Sequence, residues 1–312
     1  MKPYGNFVDG IIIFEYMTDI DKTTKAVVST LLGFLMLASI SVFVKLELRS
    51  GASVEWIVFI QFLTSFILIT ILAARNRFTD LKTSKLKYHI VRGVTGVLAF
   101  SLFTVAISKI PLVNASLLNN SAPIFIPIVT LMWLKTKIDE KIWWGIAIGF
   151  LGIVFILDPS ADDFLKPGDL FGLGSGISLA IAYVALGILS KTESFISIIF
   201  YYSLISVIIF LPLALLNWSN PYLIIWSYAV ISGVMFVCYL FFLEYAYGLL
   251  PAVKLAPLNF SVVVFTGILD WIIFGHVPNM LSLLGIILVI VGGILAIVMH
   301  TKDNEELKPN WH

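Results

Sequence analysis

Two polar runs interrupt an otherwise apolar sequence: Asn119-Asn120-Ser121 and, 140 residues further on, Asn259-Phe260-Ser261. Their amides and hydroxyls suit binding, since each needs a hydrogen-bond partner where water is scarce. Prolines stand beside both runs. Pro123 leaves the carbonyl of Asn119 without a helical partner, Pro127 that of Pro123, and Pro257 that of Val253. Carbonyls released in this way are tolerated where they line a cavity. Asn119 and Asn259 beside loosened backbone are what a central site for a polar metabolite would use, with Asn120, Ser121 and Ser261 adjoining. The alternative is structural: such groups also join helices, for about 1 kcal/mol each.

Aromatic and amide groups extend the candidate pocket. Tyr183, Tyr201, Tyr202 and Tyr239 lie away from the positions where interfacial aromatics collect, and a buried hydroxyl wants a partner. Gln61, Ser39 and Ser41 are further polar candidates. Four ionisable residues fall inside apolar stretches. Glu244 and Lys254 flank the turn at Pro251, where they could pair or reach the interface. Glu244 could equally carry a proton or accept a substrate amine. Asp270 reads as a solvated interfacial carboxylate. Arg92, three residues into its stretch, reads as reaching lipid headgroups or closing a cavity.

The rest of the chain must position these groups. Its 312 residues are 59% hydrophobic and 12% charged, with a mean hydropathy of +1.00. A soluble chain carries roughly 25% charged residues, so this composition excludes one. Lys+Arg 20 against Asp+Glu 19 leaves no basic field for nucleic acid. Cys238 alone allows no internal disulfide or multi-cysteine metal site, and His89, His276, His300 and His312 show no ligand spacing. No metal or cofactor is expected.

A bilayer core about 30 Å thick needs roughly 20 apolar residues per helix. Such runs occur ten times, at approximately 26–44, 54–73, 89–108, 112–134, 142–157, 169–190, 195–216, 222–247, 251–274 and 278–299. With both termini cytoplasmic, fourteen Lys and Arg residues fall inside and four outside, while Arg92 and Lys254 lie within spans. The positive-inside rule therefore favours cytoplasmic termini. Residues 1–25 are a cytoplasmic lead, in which Met17 reads as a natural start or the first residues as an interfacial helix. Trp143, Trp144, Trp218 and Trp226 sit near span ends as interfacial anchors.

The chain also matches itself. Pairing Leu102–Leu157 with Phe242–Ile297 gives 11 identities in 56 positions, including Pro111/Pro251, Asn119/Asn259, Gly145/Gly285 and Gly152/Gly292. Leu37-Ala38 against Leu179-Ala180 extends the match to spans 1 and 6. Five helices per half is an odd number, so the second half enters the membrane from the opposite side. Inverted repeats of this kind build carriers with a site between the halves. Small residues pack helices closely: Gly172 with Gly176, and Gly145 with Gly149. Gly149, Gly152, Gly285, Gly292 and Gly293 would join spans 5 and 10 within the chain or to a second protomer.

Arg92-Gly93, Ala106, Pro111, Ala115, Leu118, Pro123 and the stretch Gly145 to Gly152 resemble the EamA module of the drug/metabolite transporter superfamily. The signature recurs around Pro251 to Gly292. The Gly-Glu pair usual after the fourth and ninth helices of that family is replaced by Lys135-Thr136 and Gly275-His276, so no role of that glutamate carries over. The resemblance implies ten helices around a central cavity and a cargo of amino acids, nucleotide-like metabolites or drugs. His89–Gly93 is also similar to bacterial S-adenosylmethionine carriers.

The expectation is an all-α polytopic membrane protein of ten transmembrane helices, in a cell membrane and most simply a bacterial inner one. Repeats at 26–157 and 169–299 are joined by an external linker, 158–168, and followed by a cytoplasmic tail, 300–312. As a monomer or homodimer it would move a small polar metabolite by alternating access. Asn119, Asn120, Ser121, Asn259, Ser261, Gln61, Tyr183, Tyr202 and Tyr239 are the binding candidates. Glu244, Lys254, Asp270 and Arg92 would serve coupling or gating. With no carboxylate near mid-membrane, proton coupling, solute exchange and facilitated transport all stay open. Drug export is the alternative function. An embedded enzyme or a scaffold is the rival class, against which stands the absence of HExxH, a Walker loop or a cluster of His, Asp and Glu.

Overall fold

A computed structural model describes residues 22–75, 77–134, 140–156, 166–189, 192–249, 258–259 and 261–276, with shorter pieces between 280 and 295. Met17, Lys254, Pro257 and the C-terminal tail lie outside the described residues, as does the side chain of Glu244. Regular structure among the described residues is helical throughout: α1 (Lys22–Arg49), α2 (Val54–Arg75), α3 (Leu86–Lys109), α4 (Leu112–Asn119), α5 (Ala122–Leu134), α6 (Glu140–Ile156), α7 (Pro167–Leu189), α8 (Phe195–Leu216), α9 (Leu223–Leu249) and α10 (Ser261–Phe274), with one 3-10 turn at Thr79–Leu81.

Six of these are long and apolar enough to cross a membrane: α1, α2, α3, α7, α8 and α9, the last through Leu223–Leu243. The other expected spans correspond to shorter helices. Span 4, expected as one helix over 112–134, is broken between α4 and α5. Pro123 cannot donate, and the Leu118 carbonyl accepts Ser121 twice, from Oγ at 2.6 Å and from the backbone N–H at 3.3 Å. Span 5 is α6, with 17 residues, and span 9 is represented by the 14 residues of α10. In span 10, residues 283–288 and 290–292 are helical.

Local chemistry sets the helix ends. The Ser194 side chain accepts the backbone N–H of Ser197 at 3.2 Å and caps α8. Gly275 ends α10 at φ +72°, a left-handed conformation that glycine adopts without strain, and its N–H donates to the Trp271 carbonyl. Thr30, Ser41, Thr64, Thr95 and Thr104 turn their hydroxyls back onto carbonyls four residues earlier, which satisfies them inside apolar helices.

The helices pack across the halves. α3 lies along α7 as α9 lies along α1, α3 meets α8 as α9 meets α2, and α4 meets α7 as α10 meets α1. α2 faces α8, and α4 faces α10. Exchanging the two halves leaves this contact pattern unchanged. Small residues permit the closest approaches. A Cβ at Gly176 would stand 2.6 Å from the Leu118 carbonyl and 2.7 Å from Ser121 Oγ, so α7 presses directly on the break in span 4. A Cβ at Gly292 would stand 2.6 Å from Gly149 Cα, so spans 5 and 10 meet within one chain at these two glycines.

The inside and the outside differ in chemistry. Trp56, Phe62, Ile57 and Leu117 are fully enclosed, whereas Leu35, Ile71, Ile208 and Leu216 face outward. A shell of exposed apolar side chains around a helical bundle suits lipid.

Candidate functional site

The site begins with an aromatic cluster on the inner faces of the long helices. The Phe62 ring, fully buried on α2, meets Phe100 at 5.5 Å, Tyr202 at 5.1 Å and Phe236 at 5.3 Å, all edge-on. Phe62 thus fixes three rings from α3, α8 and α9, and their other edges bound a central cavity. Residues from α1, α3, α4, α7, α8, α9 and α10 line it, so both halves contribute. Its volume is about 60 Å³. That holds a few waters, so the helices must separate to admit a metabolite.

Seven of the sequence candidates line this cavity together: Ser41, Arg92, Asn119, Asn120, Tyr183, Tyr202 and Tyr239. The Asn120 amide donates to the Ser116 carbonyl at 2.9 Å, and Ser116 Oγ donates to Thr266 Oγ1 of α10 at 3.3 Å. This short relay ties the broken helix of one half to α10 of the other. The Tyr183 and Tyr239 hydroxyls stand within hydrogen-bonding reach of one another.

Arg92 is the one cation on the described cavity wall. Reaching the headgroups would take its side chain toward Leu86, the direction in which helical side chains normally lean. Instead it runs the other way, and Nη1 occupies the space where Gly96 lacks a side chain one turn further in. The guanidinium lies over the Tyr202 ring, with Cζ 4.3 Å from the centroid. Arg92 is 5% exposed, and neither Nε nor Nη1 has a hydrogen-bond partner among the described residues. The expectation that it reaches the lipid surface is thereby corrected. It also borders a second small cleft, lined by Phe195, Ile198 and Leu240, and so stands between that cleft and the central cavity.

Other candidates lie elsewhere. Ser121 is enclosed at the helix break, against Gly176, with its hydroxyl already used. Gln61 is fully buried between helices, off the cavity wall, and both its amide atoms lack partners among the described residues. Asn259 is half-buried in a short turn before α10 and, like Ser261, is absent from the described cavity wall. Ser261 Oγ has no partner among the described residues. Tyr201 donates to the Leu81 carbonyl at 3.0 Å, toward the end of the bundle where α2 finishes and α3 begins. Glu244 follows Leu243, a cavity residue, on α9, but its side chain is outside the described set, and so is Lys254.

Asp270 requires a correction. It is completely buried, not solvated: Oδ2 accepts the backbone N–H of Val113 at 3.4 Å, Oδ1 lies 3.2 Å from His276 Nδ1, and Lys45 Nζ stands 4.0 Å away. The carboxylate therefore holds the first turn of α4, where backbone N–H groups are unpaired and negative charge is favoured. Phe274 is covered by Lys45 and Arg49, with Arg49 Cζ 4.4 Å from the ring centroid. At the opposite end of the bundle His89 pairs with Glu193 at 3.3 Å.

Several of these groups escaped the sequence reading. Lys45, and with it Glu47, fell in a presumed outer loop because span 1 was ended at 44, whereas α1 continues to Arg49. Glu47 is fully buried, and both its carboxylate oxygens lack partners among the described residues. An uninterrupted helix-forming run through Glu47-Leu48-Arg49 was the available signal. Gly96 carried none, since its role exists only through the path of Arg92.

A lipid-facing helical bundle whose two halves share a largely apolar internal cavity with a few polar groups on its wall has the architecture of a multi-pass membrane transporter. The chain matches the EamA-like transporter family at residues 24–158 and 166–298, and it belongs to that family, within the drug/metabolite transporter superfamily. It is 28% identical to an S-adenosylmethionine uptake transporter of Rickettsia bellii over 241 residues, covering 77% of this chain and 82% of that one. It is 27% identical to the pseudopaline exporter CntI of Pseudomonas aeruginosa PAO1, covering 66% and 72%. With a riboflavin transporter of Vibrio cholerae it shares 26% identity, covering 64% and 67%. One solved crystal structure superposes with a TM-score of 0.61 over 89% of this chain and 98% of its own; at 15% identity it shows the fold alone.

Proposed function

We propose that the protein carries a small polar organic metabolite, an amino acid or a nucleoside- or S-adenosylmethionine-like compound, across a cell membrane by alternating access. The single observation that supports this most is the cavity shared by both halves, where Arg92, Asn119, Asn120, Tyr183, Tyr202 and Tyr239 converge. Rocking inverted halves, residues 26–157 against 169–299, would expose it to either side in turn. The Asp270–Lys45 pair and the His89–Glu193 pair sit at opposite ends of the bundle and would close its two mouths alternately. Glu244 and Lys254 stay proposed for coupling, and Glu244→Gln removes the pH dependence of uptake if that residue carries a proton.

The test is counterflow in proteoliposomes, with a metabolite panel that includes S-adenosylmethionine and riboflavin. Saturable exchange of one or more compounds is expected, and its loss in Asn119→Ala and Asn120→Ala at normal expression. Exchange by no compound, with correctly folded protein, sinks the proposal. Export is a second reading with its own support, since one relative is named an exporter. Net flux under an imposed proton gradient of either sign separates uptake from export.

A further inference from the structure

Arg92 is a charge that no described residue neutralises. Its guanidinium is nine-tenths or more enclosed, two of its nitrogens lack partners, and no ion pair includes it among the described residues. The Tyr202 ring offers only its π-face and a nearby hydroxyl. Two other buried basic side chains stand against carboxylates. Lys45 is set against Asp270, and His89 against Glu193. An enclosed cation without a counter-ion is strongly unfavourable unless something supplies the missing negative charge. This one lines the central cavity, and Gly96 lets it turn inward.

We infer that the transported molecule carries an oxyanion, a carboxylate or a phosphate, which Arg92 receives in the central cavity. This rests on the proposal that the cavity is the transport site. A planar guanidinium with free donors matches the geometry of both anions. The remainder of the molecule lies against the rings of Tyr183, Tyr202, Phe100 and Phe236, while Asn119 and Asn120 supply neutral hydrogen bonds. No carboxylate lines the described cavity wall. A cargo that is only a cation would meet Arg92 with nothing to offset the repulsion, so a simple amine is a poor substrate.

Matched ligand pairs test the inference on wild-type protein. Thermal stability of the purified transporter is measured against S-adenosylmethionine and its decarboxylated derivative, and against riboflavin 5′-phosphate and riboflavin, with inorganic phosphate as a further probe. In at least one pair the anionic member should stabilise at about tenfold lower concentration, the size of one charged hydrogen bond. The first pair reports a carboxylate and the second a phosphate. Arg92→Gln should bring the members of that pair together, and Arg92→Lys should restore part of the gap. Equal response to both members of every pair overturns the inference, as does discrimination that survives Arg92→Gln. Counterflow separates this from the underlying reading. Discrimination without exchange refutes transport alone, and exchange competed equally by both members refutes the anion site alone.

Discussion

Gly96 leaves empty the space that the Arg92 guanidinium fills, one helical turn further into the bundle. A Cβ there would touch Nη1 and stand 2.9 Å from Cε2 of Tyr202. The guanidinium tip can move aside, but the ring is held by Phe62 at 5.1 Å and cannot easily follow. Gly96→Ala should therefore redirect Arg92 while leaving the fold intact, and lower transport by about tenfold or more. Uptake kinetics alongside a melting curve check this, and full transport at normal stability would remove Gly96 from the site.

The break in span 4 predicts a contrast between two glycines of α7. At Gly176 a side chain meets the Leu118 carbonyl, which is backbone and cannot move alone. Gly176→Val should destabilise by roughly 1–3 kcal/mol, as overpacking does. At Gly187 nothing lies within 4 Å of an added Cβ, so Gly187→Ala should be neutral or stabilise by up to about 1 kcal/mol. Thermal shifts on the pair give the answer, and equal effects would contradict the packing of α7 on the break.

Gln61 should behave as a polar group held at a cost. It is fully buried, and neither amide atom has a partner among the described residues. Gln61→Leu should raise stability by about 1 kcal/mol or more, the penalty of an unsatisfied buried amide. If transport falls while the melting temperature rises, Gln61 finds its partner in another state of the transport cycle. A lower melting temperature would mean that the amide is satisfied after all.

Asp270 joins α10 to α1 and α4. Asp270→Asn leaves Lys45 without a countercharge and weakens the hold on the first turn of α4, a loss on the order of 3 kcal/mol for a broken buried pair. Adding Lys45→Met should recover part of it, because the stranded charge is removed. A double-mutant cycle on melting temperatures measures the coupling, and strictly additive losses would show that the two residues act independently.

Much of the architecture was legible from composition and pattern. Span 7, expected at 195–216, coincides with α8, and most other long helices end within a few residues of expectation. Long apolar runs must form helices in lipid whatever surrounds them, because the backbone satisfies its own hydrogen bonds. The 140-residue self-match foresaw two related halves, and the main helix contacts between the halves are unchanged when the halves are exchanged. Pro123 marked the weak point of span 4, although the break itself falls between α4 and α5, just ahead of it. Asn119 and Asn120 were legible as polar groups deep in an apolar span, and both line the cavity.

What the tertiary structure decided was direction and company. Position along a helix sets the depth of a side chain, but neither the way it leans nor the helix that covers it. On depth alone Asp270 read as interfacial, and Arg92 as reaching headgroups or closing a cavity. Arg92 turns inward because Gly96 makes room and Tyr202 offers a ring; Asp270 is enclosed because α1 and α4 close over it. Asn119 lines the described cavity whereas its repeat partner Asn259 does not, since identical residues in two halves meet different neighbours. Sequence alone thus determined a helical membrane protein of two related halves with uncharged polar groups at its centre. Only packing between those halves put among them a cation with no ion-pair partner among the described residues, because burial belongs to pairs of helices and not to any one of them.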